Sequence, residues 1–210
     1  MPTSELFNPA TKKWTAPGPT GVSSGAGSPQ AARLPDGRVI TTLGMTSLWG
    51  GPVTGPDIYT PSTNTWSRLP APPIALGNGV RIALLPNGHV LFAGGWLTAW
   101  TDYPTNVVAE LDPITGTWIA RPSAGFWGDT IDGQTLTALA NGTVLASGGA
   151  RDADTDQLYD PSTATWTVVA GVNNGGSATV TALTVGGSRS TYPAGGTGIS
   201  TVPIGKLFQP

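Results

Sequence analysis

The chain has 210 residues, of which 12 are acidic and 10 basic, giving a net charge of −2, and it contains no Cys. This excludes disulfides, thiolate metal ligands and a Cys nucleophile, and with no basic patch to neutralise a phosphate backbone it argues against nucleic-acid binding. The length suffices for one domain with a substantial core, the 30 Gly and 20 Pro imply many turns, and no apolar run is long enough to insert in a membrane.

The first predicted element is a strand within SELFNP (residues 4–9), which turns at Asn8-Pro9 into a second strand around Trp14. LPDGRVITTLG (34–44) then places Asp-Gly between two apolar runs, a strong hairpin signal, and TPSTNTW leads to Trp66. The next unit repeats the order: a strand over 80–85 turns at Asn87-Gly88 into a strand over 90–93, and DPITGTW leads to Trp118. LANGTVLASGG (139–149), a strand over 157–159 and DPSTATW ending at Trp166 form the third such unit. The last stretch, 177–210, offers a weak strand, SRSTYPAGG, interrupted by Pro193, and closes on GKLFQP (205–210), which is similar to SELFNP.

Trp14, Trp66 and Trp118 are spaced by 52 residues, and Trp166 follows Trp118 by 48. A period near 50 means an array of supersecondary units. Each unit holds four short antiparallel strands, here called a, b, c and d, with the Asp-Gly or Asn-Gly hairpin joining a to b and the turn before Trp joining c to d. The predicted repeats are 1–21 (partial), 28–72, 77–122, 133–170 and 177–210 (partial), within a single domain 1–210. In the c–d turn Asn8, Thr60, Asp112 and Asp160 can each accept a backbone N–H two residues on, and the Pro that follows presets φ. Trp14, Trp66, Trp118 and Trp166 read as structural wedges between units, each ring mostly buried and its N–H on one acceptor.

On these motifs the chain resembles the kelch-repeat, galactose-oxidase-type β-propellers of bacteria, whose blades combine a Leu-Pro-Asp-Gly hairpin, a Gly-Gly pair and Tyr-Asp-Pro-x-Thr-x-x-Trp. The resemblance spans residues 5–210 and implies an all-β, kelch-like β-propeller with four four-stranded repeats. Gly44-Met45 departs from the Gly pair. Strand c recurs at both ends, so a blade could be completed by pairing the N-terminal c–d strands with the C-terminal a–b strands, or by a neighbouring chain, which makes self-association or a larger parent array the expectation.

Strand alternation puts the b–c and d–a loops on one side and the tight turns on the other. The long loops carry Trp49, Trp96, Trp100, Tyr103, Phe126 and Trp127 beside Asp102, Asp129, Asp132 and Arg151. Flat apolar rings with carboxylates and an Arg suit a sugar, and the same residue types suit a protein partner. The competing reading folds these rings down as lids over the core. Asp152, Asp154 and Asp156 alternate as weak metal candidates, but Gln157 and Thr163 stand where a Ca²⁺ loop of the EF-hand type needs Gly and Glu, so a solvated acidic loop is expected.

Enzyme readings find little support. A copper-radical oxidase like the family's namesake needs Cys and two His, and a Ser-His-Asp triad would depend on His89 alone. His89 is expected to be exposed on the tight-turn side, and no spacing pairs two carboxylates for glycoside hydrolysis. Glu110 stands where strand c otherwise carries Leu6, Ile58, Leu158 and Leu207. A β-bulge that shifts VVAELD by one residue is the expected account. If register holds instead, a buried carboxylate must find partners. The functional expectation is a non-catalytic binding or assembly module that recognises carbohydrate or protein through the b–c and d–a loops, without a cofactor. A structural component of a virion, tail fibre or surface filament is the alternative, and a glycoside-acting hydrolase the second. The start MPTSELF shows no charged and apolar leader, so a soluble chain of undecided compartment is expected.

Overall fold

The hairpin turns fix short meanders that are stacked face to face. The computed structural model describes residues 5–16, 29–42, 54–74, 76, 79–95, 105–123, 135–147, 155–170, 179–185 and 188–194. Every element among them is a β-strand. Strands β1 (Leu6–Asn8) and β2 (Lys13–Thr15) form a two-stranded antiparallel sheet. Three four-stranded sheets follow among the described residues, each in simple chain order. The first holds β3 (Ala31–Arg33), β4 (Val39–Thr41), β5 (Asp57–Thr60) and β6 (Thr65–Arg68). The second holds β7 (Arg81–Leu84), β8 (Val90–Ala93), β9 (Val108–Leu111) and β10 (Trp118–Arg121). The third holds β11 (Thr135–Ala138), β12 (Val144–Ser147), β13 (Thr155–Asp160) and β14 (Thr165–Ala170). A last two-stranded sheet pairs β15 (Thr179–Val185) with β16 (Ser188–Ala194). Strand β3 packs beside β7, β7 beside β11 and β11 beside β15, so the first strands of successive sheets line up along one side of the stack.

The a–b, b–c and c–d pairings match the order expected from the sequence. Two points differ. Strand β16 runs through Pro193, which pairs with Val180, because a strand of a two-stranded sheet keeps an open edge where a missing N–H is tolerated. The β1–β2 and β15–β16 hairpins are separate sheets, so the described residues do not pair the N-terminal c–d strands with the C-terminal a–b strands. The terminal c strand expected at 205–210 lies outside the described residues.

The a–b turns of the three four-stranded sheets are three-residue loops closed in the same way. Leu34 N–H donates to the Arg38 carbonyl at 2.8 Å and Gly37 N–H to the Leu34 carbonyl at 3.0 Å, and Leu85, Gly88 and His89 and Leu139, Gly142 and Thr143 repeat the pair. Asp36, Asn87 and Asn141 accept through Oδ1 from the N–H two residues on. The glycine that ends each loop has φ of 85 to 89°, a left-handed conformation that a side chain would strain. In the c–d turns Asn8, Asp112 and Asp160 accept from Ala10, Ile114 and Ser162 N–H at 2.8 to 2.9 Å. Four residues after these positions and Thr60, the chain turns left-handed at Lys12, Asn64, Gly116 and Ala164.

The core lies between sheets, and period-two alternation divides it. From the second sheet, Ile82, Val90, Phe92, Ala109 and Leu111 face the first sheet and pack with Leu34, Ile40 and Ile58. Their neighbours Ala83, Leu91, Ala93 and Val108 face the third sheet and pack with Val144 and Tyr159. Strands β8 and β9 are therefore buried throughout, whereas the outer strand β6 is mostly exposed. Tryptophans tie the sheets at their outer side. The Trp118 indole N–H donates to the Pro70 carbonyl at 2.9 Å and Trp166 to Pro122 at 3.1 Å, each reaching back to the preceding unit. Trp66 lies half-buried against Tyr59, with ring centroids 5.1 Å apart. Trp14, read from the sequence as an equivalent wedge, is instead 62% exposed.

The repeats also show what one of them lacks. Tyr59 donates its hydroxyl to Asn64 Oδ1 at 2.8 Å. Its counterpart Tyr159 is fully buried, and its hydroxyl has no hydrogen-bond partner among the described residues, because Ala164 replaces the asparagine. Ala164→Asn should supply that partner in a backbone conformation asparagine tolerates, raising stability by about 1 kcal/mol in urea unfolding. No gain, or a loss, would mean that the hydroxyl is already satisfied.

Candidate functional site

The aromatic loops that the sequence points to, with Trp49, Trp96, Trp100, Tyr103, Phe126, Trp127, Asp129 and Arg151, lie outside the described residues, as do Asp152 and Asp154. Asp156 belongs to β13 and is buried, 8% exposed, with an interaction partner of its own. The polar chemistry that the structure does bring together sits on the other side, around the tight turns of the second and third sheets.

Its centre is Glu110. The strand carries no bulge there: Glu110 pairs with Leu91 on β8 and Ile119 on β10, as Ile58 pairs with Ile40 and Ser67, and Leu158 with Leu145 and Thr167. The expected one-residue shift is thus corrected. Register holds because both neighbouring strands are fixed by their own turns and by cores on two faces, and the carboxylate, 1% exposed, occupies an apolar slot.

Partners make this possible. Asn87 Nδ2 donates to Glu110 Oε1 at 3.2 Å and Arg121 Nε to Oε2 at 2.7 Å. His89 Nδ1 lies 2.7 Å from Oε1. An ionised carboxylate only accepts, so Nδ1 carries the hydrogen. Burial alone would push the Glu110 carboxyl up, but the bonds from Asn87, Arg121 and His89, with the charge of Arg121, hold it below its ordinary range. His89, expected to be exposed, is drawn inward by this contact to 27% side-chain exposure. Both oxygens are engaged and shielded from solvent, and the group joins β9, β10 and the a–b turn of the second sheet. Beside it, burial raises the Tyr159 phenol, Arg121 lowers it and Glu110 raises it further. A further buried carboxylate, Asp57, is held by Arg68 across β5 and β6 at 2.9 Å.

A cleft of about 390 Å³ that shares Asn87 with the Glu110 group opens between turns of the second and third sheets. Pro86 and Asn87 form one wall, and the two tight turns at 141–143 and 160–162 form the other. Among the described residues its one carboxylate is Asp160, whose Oδ1 accepts from the Ser162 N–H and hydroxyl, bonds that hold its carboxyl below the ordinary range. Asn87 belongs to both features, as a cleft wall and a Glu110 donor. The sequence flagged Glu110 as a break in the repeat. Arg121 carried no comparable signal, since its role depends on the β9–β10 register.

Comparison with protein-family models and with curated proteins returns no match to this chain. The site therefore has to be read from its own chemistry.

Removing one partner of Glu110 leaves a charge buried without compensation, which costs more than removing both. Arg121→Met should lower stability by about 3 kcal/mol, while Glu110→Leu with Arg121→Met, which restores the apolar slot, should recover most of that loss in urea unfolding. Equal losses would refute a buried ion group.

The pH dependence follows from the depressed Glu110 value. The stability it contributes is complete above the unfolded carboxyl range, about pH 4.3, and is lost as pH falls through the lower folded value. The wild type should therefore lose more stability than the double variant between about pH 5 and pH 3. Parallel pH profiles would show that Glu110 ionises in the folded and unfolded chains alike.

Proposed function

We propose that the chain is a kelch-like β-propeller module that binds and assembles rather than catalyses. The repeated meanders, the alignment of their first strands and the Trp-to-carbonyl ties support the blade reading. One observation carries the assembly reading. The β1–β2 hairpin presents Leu6, Phe7 and Trp14 at 39, 48 and 62% exposure, with Phe7 and Trp14 in the ring pairing that Tyr59 and Trp66 and Tyr159 and Trp166 make in a covered setting. A face built to lie under another sheet is open to solvent, and apolar faces of this kind mark interaction sites. Its natural occupant is a further unit of the same kind. A two-stranded a–b sheet, β15–β16, would complete the c–d sheet β1–β2 when supplied by a second copy, through head-to-tail strand pairing. Recognition of carbohydrate or protein through the b–c and d–a loops belongs to the same proposal and rests on the Trp, Tyr, Asp and Arg content of those loops.

Light scattering during size exclusion tests it. The intact chain should elute as a discrete dimer or larger species, and Phe7→Ala with Trp14→Ala should shift it to the mass of one chain while its circular dichroism stays β. A wild type that is monomeric at all concentrations, or a variant that assembles equally well, would overturn the assembly reading.

A further inference from the structure

The cleft between the second and third sheets has a counterpart between the first and second, and the two are filled differently. Their correspondence is set by the turns. A Cβ on Gly88 would meet Pro35 of the preceding sheet, and one on Gly142 would meet Pro86, so each a–b turn sits over the proline of the turn before it. Between the first and second sheets Arg38 spans the gap. Its Nε is 2.7 Å from Asp36 Oδ2 in its own turn, and its Nη2 donates to the Pro113 carbonyl of the next c–d turn at 3.3 Å. His89 is the residue at the Arg38 position in the second sheet. It turns inward to Glu110 instead of reaching toward Pro161, and about 390 Å³ stands open in front of Asn87, Asp160 and Pro161.

We infer that this cleft is a binding site for an alkylguanidinium group, the side chain of an arginine on a ligand or partner, seated as Arg38 is seated one unit earlier. The acceptors are of the right type. Pro161 corresponds to Pro113, whose carbonyl receives Arg38. Asp160 supplies the negative charge that Asp36 supplies there, and Asn87, which replaces Asp36, lines the opposite wall. A planar guanidinium with several donors can meet a carbonyl and a carboxylate together, whereas an ammonium is a point charge that matches this fork less well. A lone group on so open a surface binds in the millimolar range, so the site adds specificity to a larger contact rather than anchoring one. It lies apart from the β1–β2 face and stands whether or not that face assembles copies.

The test is a titration of the ¹⁵N-labelled chain with arginine amide, followed by amide shifts. Saturable shifts should centre on the turns at 141–143 and 160–162 and on the Asn87 side chain. Lysine amide should bind at least about threefold more weakly, as expected for the difference between a fork and a point charge at an exposed site. Asp160→Asn keeps a side-chain acceptor for the Ser162 N–H while removing the charge, so it should fold normally, as its unperturbed spectrum elsewhere will report, and bind arginine amide about threefold more weakly. Shifts that never saturate, that centre elsewhere, or that are the same for lysine amide or in the Asp160→Asn chain would overturn the site.

Discussion

The second four-stranded sheet of this protein is buried on both faces at once, and the packing of its two neighbours depends on that. A strand sends successive side chains to opposite faces. In β8 the consequence is direct: Val90 and Phe92 complete the core shared with the first sheet, and Leu91 and Ala93 the core shared with the third. A four-stranded sheet of this length has no interior of its own. Burying one side chain the size of Phe92 stabilises by about 1.5 to 3 kcal/mol, and that gain exists only while the neighbouring sheet is present. The turns serve this stacking. Asx acceptors and left-handed glycines hold the strands in register, and the indole bonds from Trp118 to Pro70 and from Trp166 to Pro122 lock the outer edges of the second and third sheets to the sheet before. Stability in such an array is a sum of nearest-neighbour terms.

The Glu110 group is the exception that two-sided burial has to accommodate. A carboxylate in an apolar slot between sheets would be costly alone, so Arg121, His89 and Asn87 supply donors to both oxygens. An ion group of this kind adds little net stability compared with well-packed apolar residues. Its effect is local geometry. It holds His89 inward, whereas Arg38 at the same position of the first turn reaches the Pro113 carbonyl of the next sheet.

Much of this was legible in the residues. The Asn-Gly and Asp-Gly hairpins, the Pro-containing c–d turns and the Trp spacing led to the right strands, because turn chemistry is local and is written in a few side chains. Asn8, Asp112 and Asp160 accept the backbone bonds their position implied. Glu110 was visible as a misfit, but its resolution was not, since the choice between a bulge and a satisfied charge turns on whether His89 and Arg121 can reach it across two strands. The open ring of Trp14 was likewise hidden, because its sequence motif is the same as that of its covered counterparts and only the neighbouring sheet decides burial. Ala164 carried no signal until Asn64 showed what occupies that turn beneath a tyrosine.

The most direct test of the stacked array is urea unfolding of the chain labelled with 5-fluorotryptophan, which gives each indole its own ¹⁹F resonance and so reports on each sheet separately. If neighbouring sheets share their cores as described, Trp66, Trp118 and Trp166 should lose their native resonances at one common midpoint. Midpoints separated by about 1 M urea or more would show that the sheets unfold independently, and would contradict cores shared between them.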